Sequence, residues 1–402
     1  MAQDLAAHWP VYVTMPFIAA LIGYLTKRVA IEMMFRPLEF AGLPPLLGWQ
    51  GIVPKHGGRM AAIATDLLTS NLLDLKEVFA RIDADRMTTA IEQPLLRAID
   101  DITRDVLAEY HPRLWEALPA MAQELVVKQV QAAAPRLVRE LMADIRENLD
   151  EVLDVKHMTV QHLTRDKALL VRLIRDTTRP EMAFIARCGI YFGFGLGLVQ
   201  AVVWALTHNP WVLPVFGGCI GLFTDWLAIK LIFLPREPVR VLPWLTLQGK
   251  FQRRRREVAR QYGELIAREV LTTRNLLDTI LRGPRADQMV AMVRRTVSNA
   301  VDEQSGRLVS VTIGAPRLRE MKEAAARRAL ALLPDTVRHA EGYLTEAMNV
   351  ANMVEQRMLA LTPVQYEGLL RPAFRQEEWK LISVGGVIGF VVGELQVLLM
   401  LH

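Results

Sequence analysis

The chain has 402 residues, 51% of them apolar and 23% charged, with 48 Lys and Arg against 43 Asp and Glu. That is too apolar for a disordered chain and too charged for a protein lying wholly in lipid, so a few membrane segments joined to large soluble parts fit best. Two cysteines, Cys188 and Cys219, exclude a disulfide scaffold and a multi-cysteine zinc module, and a net charge of +5 is too mild to name a partner.

From Met1 to Thr26 there is no Lys or Arg, and Asp4 is the only acid. A crossing needs about 20 predominantly apolar residues, which places a first membrane segment at about 9–34, with Lys27, Arg28 and Glu32 near its charged end. No basic region or small-residue cleavage pattern accompanies it, so a cleaved signal peptide is not expected. The block 36–180 follows, rich in Arg and Lys, and 59–81 and 125–155 within it carry apolar residues at three- and four-residue intervals. That spacing predicts amphipathic helices. Between Cys188 and Ile229, Asp225 is the only formal charge. Two crossings fit there, at 184–206 and 211–234, joined by a turn at His208-Asn209-Pro210. The second block, 236–378, repeats the helical pattern at 257–281, 317–333 and 336–360, with one short strand-like alternation from Leu308 to Ile313. A last segment, 381–401, holds Glu394 as its only charge.

Positive charge near segment ends marks the cytoplasmic side. Arg36, Lys55 and Arg59 follow the first segment, and Arg236, Arg240 and Lys250 follow the third. Both long blocks are therefore expected inside a bacterial inner membrane and both termini outside. The fold expected is an all-α membrane protein of four transmembrane helices.

The chain also reads as a duplication. GYLTKRVAIEMMFRPLE from Gly23 aligns with GLFTDWLAIKLIFLPRE from Gly221 at an offset of 198, and the same offset pairs Gln50-Gly51 with Gln248-Gly249 and Leu163-Thr164 with Leu361-Thr362. Asn71-Leu72-Leu73-Asp74 matches Asn275-Leu276-Leu277-Asp278 after a short insertion, and Gly189, Gly193, Gly197 and Gln200 match Gly385, Gly389, Gly393 and Gln396. Ordered matches along the whole length predict two tandem repeats, 1–207 and 208–402. Each has two crossings and one long-helix cytoplasmic bundle. An even number of crossings gives both the same orientation, with a pseudo-twofold axis along the membrane normal.

The G-x-x-T-x-x-x-A-I-x-x-x-F-x-P core, the following Q-G and the glycine-spaced last helix resemble the YheB/YjiN-like family of bacterial membrane proteins. The defining domain of that family has no assigned function. The second copy, TDWLAIKLIFLP, lies closer to the family form, whereas Lys27-Arg28 and Glu32 depart from it in the first. The resemblance implies a membrane location and a fold; it supplies no mechanism.

Three groups of residues stand out. Position 27 is Lys where its mate 225 is Asp, and 32 is Glu where its mate 230 is Lys. Charge in lipid calls for a partner or water, so Lys27–Asp225 and Glu32–Lys230 pairs across the halves are one expectation. Separate snorkelling to the interface is the other. Glu394 is expected protonated, paired with Arg28 or Arg187, or facing a wet cavity. Gly189, Gly193 and Gly197 share one helix face, as do Gly385, Gly389 and Gly393, and close helix packing is the simpler reading beside a ligand groove. Lys250 and Arg253–Arg256 form a candidate patch for anionic headgroups.

No phosphate loop, H-E-x-x-H or G-x-S-x-G occurs, and the eight histidines are scattered. No catalytic residue, metal site or cofactor is expected, and nucleic acid is not an expected partner. The function expected is non-enzymatic: an envelope scaffold, or a lipid handler at the cytoplasmic leaflet. The alternative is a small-solute or ion transporter using the intramembrane charges, with an integral-membrane enzyme ranked third. A protein partner in the envelope and self-association stay open.

Overall fold

The computed structural model describes residues 9–43, 47–207, 209–242, 245–313, 315–368 and 378–401. The four expected membrane segments lie in helices α1 (Trp9–Phe35), α2 (Lys167–Thr207), α3 (Val212–Phe233) and α4 (Glu378–Leu401). α2 and α3 are long and apolar enough to cross a membrane, and α4 carries a shorter apolar stretch, Ile382–Leu398. Phe17, Leu21, Tyr191, Leu198, Val387 and Val391 are exposed on their outer faces, a density of large apolar groups that a water-facing surface rarely carries. α2 contains the expected 184–206 segment and extends beyond it, running unbroken from Lys167 through Pro180. Leu169, Leu170 and Leu173 are buried there, so packing holds the extra turns. Asn209 Oδ1 accepts from Trp211 N at 3.1 Å and so shapes the turn into α3. His208, residues 1–8 and His402 lie outside the described residues.

After both α1 and α3 the chain takes the same path. A cis peptide (Arg36–Pro37, Leu234–Pro235) leads into a two-stranded antiparallel hairpin. The hairpins are β1 (Ala41–Leu43) with β2 (Leu47–Trp49), and β3 (Val239–Leu242) with β4 (Leu245–Leu247). Gly51 N then donates to Pro37 O, and Gly249 N to Pro235 O, each at 2.9 Å. A Cβ at Gly51 would stand 2.8 Å from Phe35 C, and one at Gly249 2.8 Å from Phe233 C. The F-x-P and Q-G motifs therefore close one bracket in which backbone lies on backbone, and only glycine fits. These hairpins are the strands among the described residues. Leu308–Ile313, read as strand-like, ends the helix Ala286–Ile313 instead.

The residues group into two compact units. One comprises the described parts of 1–67, 160–262 and 355–402; the other comprises 68–159 and 263–354. The units thus cut across the halves expected from the repeat, since each draws on both. The second unit is a helical bundle whose core includes Val106, Met321, Ala324 and Ala325. Asp83 caps the helix Ala84–Tyr110 by accepting from Asp85 N and Arg86 N, and Tyr343 Oη bridges the Asp83 backbone. The expected helix 125–155 is broken at Ala133 and Asn148 into Ala120–Ala132, Ala134–Glu147 and Leu149–Val152. Likewise 336–360 breaks at Asn349, whose φ is 45°. Single π-turns, Leu68–Leu72 and Ile266–Val270, interrupt the expected 59–81 and 257–281 helices.

Candidate functional site

Lys27 sits on the inner face of α1, 2% exposed. Its Nζ lies 2.8 Å from Asp225 Oδ1 and donates to Thr224 Oγ1 at 2.6 Å. The Thr224 hydroxyl donates in turn to Gly221 O at 3.3 Å. A Cβ at Gly385 would overlap Asp225 Oδ2, and one at Gly189 would come 2.9 Å from Lys27 Cδ. Two of the ladder glycines therefore make room for this pair.

The second expected pair is absent. Glu32 Oε2 is taken by Arg175 at 2.9 Å and Oε1 by Arg36 at 3.3 Å, while Lys230 Nζ stands 4.0 Å from the centre of the Trp226 ring. Glu32 is solvated enough to find arginines at the helix ends, and Trp226, one turn before Lys230, offers a nearer partner than the opposite helix. Glu394 lies on an exposed face of α4 and pairs with neither Arg28 nor Arg187; Arg28 bonds Tyr24 Oη at 3.2 Å.

All six ladder glycines are buried. Cβ atoms at Gly193 and Gly197 would stand 2.7 Å from Ala19 O and 2.9 Å from Pro16 Cα, on α1; at Gly389 and Gly393 they would stand 2.9 Å from Gly217 C and 2.5 Å from Leu213 O, on α3. The glycine faces are helix–helix contacts.

The arginine run is divided. Arg253 and Arg256 point outward, and Lys250 Nζ lies 5.9 Å from the centre of the Phe184 ring. Arg255 turns inward, donating to the carbonyls of Met358, Leu359 and Leu361 and covering Tyr366. Arg254 reaches Glu181 Oε1 at 2.6 Å and Glu257 Oε1 at 2.8 Å. Hydrogen bonds from Arg254 hold the Glu257 carboxyl below its ordinary range, and those same bonds hold the guanidinium above its own. Two of the five residues of the expected lipid patch, Arg254 and Arg255, are thus internal scaffolding. Burial pushes the Tyr366 hydroxyl up, and its Oη has no partner among the described residues.

Glu181, which the sequence reading passed over, is 3% exposed, and its Oε2 has no partner among the described residues. With Lys27, Asp225, Thr178 and Glu378 it lines a chamber of about 60 Å³ between α1, α2, α3 and the start of α4. The other walls are apolar, among them Ile31, Met34, Ile185 and Phe251.

The second unit holds a larger cavity, about 560 Å³, walled almost wholly by apolar side chains such as Ile91, Ile99, Leu137, Val297 and Ala325. Among the described residues no cluster of three or more His, Cys, Asp or Glu could hold a metal ion. Neither Glu181 nor this cavity has a sequence signature. A single acid in a basic stretch looks like surface, and amphipathic stripes look alike whether they close on each other or on a void.

No family model matches the chain, and no solved structure matches it. Curated relatives do, over nearly the full length of both partners. The chain is 24% identical over 430 residues to a UPF0754 membrane protein of Synechococcus sp. (strain JA-3-3Ab), covering 98% of this chain and 99% of the relative. It is 23% identical over 427 residues to a UPF0754 membrane protein of Microcystis aeruginosa, with 96% of each covered. To one from Nostoc sp. it is 22% identical over 431 residues, covering 97% and 96%. The chain is thus a helical protein with two helices fit to cross a membrane, similar end to end to bacterial membrane proteins of an uncharacterised family.

Proposed function

We propose that the chain is a non-enzymatic, lipid-handling protein of the bacterial inner membrane that takes a lipid acyl chain into the cavity of its second unit. The proposal includes four crossings, α1 to α4, arranged as two tandem repeats of one orientation with both helical blocks cytoplasmic. It also keeps the YheB/YjiN-like likeness as its family reading. Arg253, Arg256 and Lys250 are the residues available to anionic headgroups, each worth about 1 kcal/mol near an anionic leaflet.

The observation that carries this reading is the apolar cavity of about 560 Å³. Its volume falls in the range of ligand pockets, about 300–1,000 Å³. The cavity is partly open to its surroundings, so without a ligand it would hold water against almost wholly apolar walls, an unfavourable contact that a hydrocarbon occupant removes. Hydrocarbon matches its walls. A transporter would instead call for a polar route, and the Lys27–Asp225 pair is closed on itself.

The test is organic extraction and mass spectrometry of lipid from the detergent-purified full-length protein. Ala325 lines the cavity and is 7% exposed, so Ala325→Phe should fill part of it and lower the acyl lipid carried per protein. Unchanged helical content and a single elution peak show that the variant is folded, with a melting temperature lowered by the added bulk. A parent without bound acyl lipid, or a variant carrying as much as the parent, overturns the reading.

A further inference from the structure

The two ends of the chamber in the first unit are built alike. At one end an ammonium, Lys27 Nζ, is held by a carboxylate and a threonine hydroxyl: Asp225 Oδ1 at 2.8 Å and Thr224 Oγ1 at 2.6 Å. Thr224 accepts that bond while giving its own proton to Gly221 O, three residues earlier. At the other end α2 presents Glu181 and Thr178 into the same chamber, 3% and 6% exposed. Thr178 Oγ1 gives its proton to Ile174 O at 2.7 Å, which leaves its lone pairs to accept. Glu181 Oε1 is occupied by Arg254, and Oε2 has no partner among the described residues. The second end thus repeats the acceptors of the first without an ammonium from the described residues.

Charge and size agree. Among the described residues that line it, Lys27 is the one cation, already bound, against the carboxylates Asp225, Glu181 and Glu378. A buried carboxylate oxygen lacking a donor is costly, and a charged N–H donor answers it best. One water needs roughly 10–15 Å³ on the measure by which the chamber holds about 60 Å³, so a group of about four heavy atoms fits. The apolar walls suit methylenes.

We propose that this chamber binds a primary ammonium group on a short carbon stem, held by Glu181 Oε2 and Thr178 Oγ1. An aminoethyl group satisfies this description, whether from a free small amine or from the headgroup of phosphatidylethanolamine. The site belongs to the first unit and does not rest on the acyl cavity of the second.

The experiment uses the full-length protein in detergent. Thermal unfolding is followed while ethanolamine hydrochloride is titrated against tetramethylammonium chloride at equal ionic strength. Native mass spectrometry then compares phosphatidylethanolamine with phosphatidylcholine. Ethanolamine and phosphatidylethanolamine should bind, and the quaternary analogues, which lack N–H donors, should bind at least about tenfold more weakly. Binding of phosphatidylethanolamine alone identifies the headgroup as the source; binding of ethanolamine as well opens the site to free amines. Glu181→Gln should abolish the response, and Thr178→Val should weaken it about tenfold. If Glu181→Gln fails to fold because Arg254 loses its partner, Thr178→Val decides alone, since it removes only a hydroxyl. Ala325→Phe should leave the response unchanged. No response to either amine, an equal response to the quaternary analogues, or an unaltered response in Thr178→Val overturns the proposal.

Discussion

Lys27 and Asp225 are 2% and 6% exposed, so neither charge can be left alone without a large desolvation cost. Lys27→Ala strands a carboxylate, Asp225→Ala strands an ammonium, and each should cost about 3–5 kcal/mol. The double alanine variant should cost much less than the sum, and a double-mutant cycle on thermal stability in one detergent measures the difference. Exchanging the two residues should restore part of the loss, because a threonine precedes each position and a glycine faces each side chain. A coupling near zero would mean that the two groups do not depend on each other. The pair was legible in the sequence because the signs are exchanged between aligned positions. The failure of Glu32–Lys230 was not, since Arg175 lies 143 residues from Glu32 and only the fold brings them together. Glu181 was hidden for a similar reason. Its burial depends on Arg254, which belongs to a run that reads as solvent-facing.

At the scale of single helices, the glycine ladders decide how closely α1 approaches α2 and α3 approaches α4. If all four helices cross the membrane, as proposed, they gain nothing there from leaving water, and the fit of their surfaces carries association. Gly193→Leu would drive a side chain into the Ala19 backbone, and Gly389→Leu into the Gly217 backbone. Neither obstacle can rotate away, as a flexible side chain could. Overpacking of this kind typically costs ~1–3 kcal/mol, so both variants should show lower folded yield and lower melting temperature in the same detergent. Gly195, with nothing near its absent Cβ, is the internal control: Gly195→Leu should behave like the parent. Parent-like behaviour of Gly193→Leu and Gly389→Leu would show that the helices adapt. The ladders were legible because spacing by four repeats a helix face. Helix ends were less so. The stripe from Leu125 to Val155 is continuous in pattern but broken in the chain, because Pro135 sits in the first turn of a new helix and restarts it.

The whole molecule departs most from what its sequence suggests. Aligned halves invite division near residue 208, yet each compact unit takes residues from both halves. Alignment reports which positions are alike; it cannot report which of them pack together. In the second unit the core joins Val106 of the first half to Met321, Ala324 and Ala325 of the second. Ion pairs follow the same lines, with Arg328 on Glu109 at 2.6 Å and Arg295 on Asp144 at 2.5 Å. Each half alone would therefore expose one wall of a shared apolar interior, and such a surface aggregates or binds another copy. Expressed separately, 1–207 and 208–402 should be unstable or aggregated. Expressed together with an affinity tag on one fragment, they should co-purify and melt in one transition. The helix pairs α1–α2 and α3–α4 each lie within one half, so membrane insertion of the fragments should survive the cut while the second unit fails. Limited proteolysis separates the two effects: in either fragment alone, 68–159 or 263–354 should be cleaved quickly, and mixing should protect both. A fragment 1–207 that is monodisperse, protease-resistant and cooperative in melting would show that the halves fold independently and only then associate.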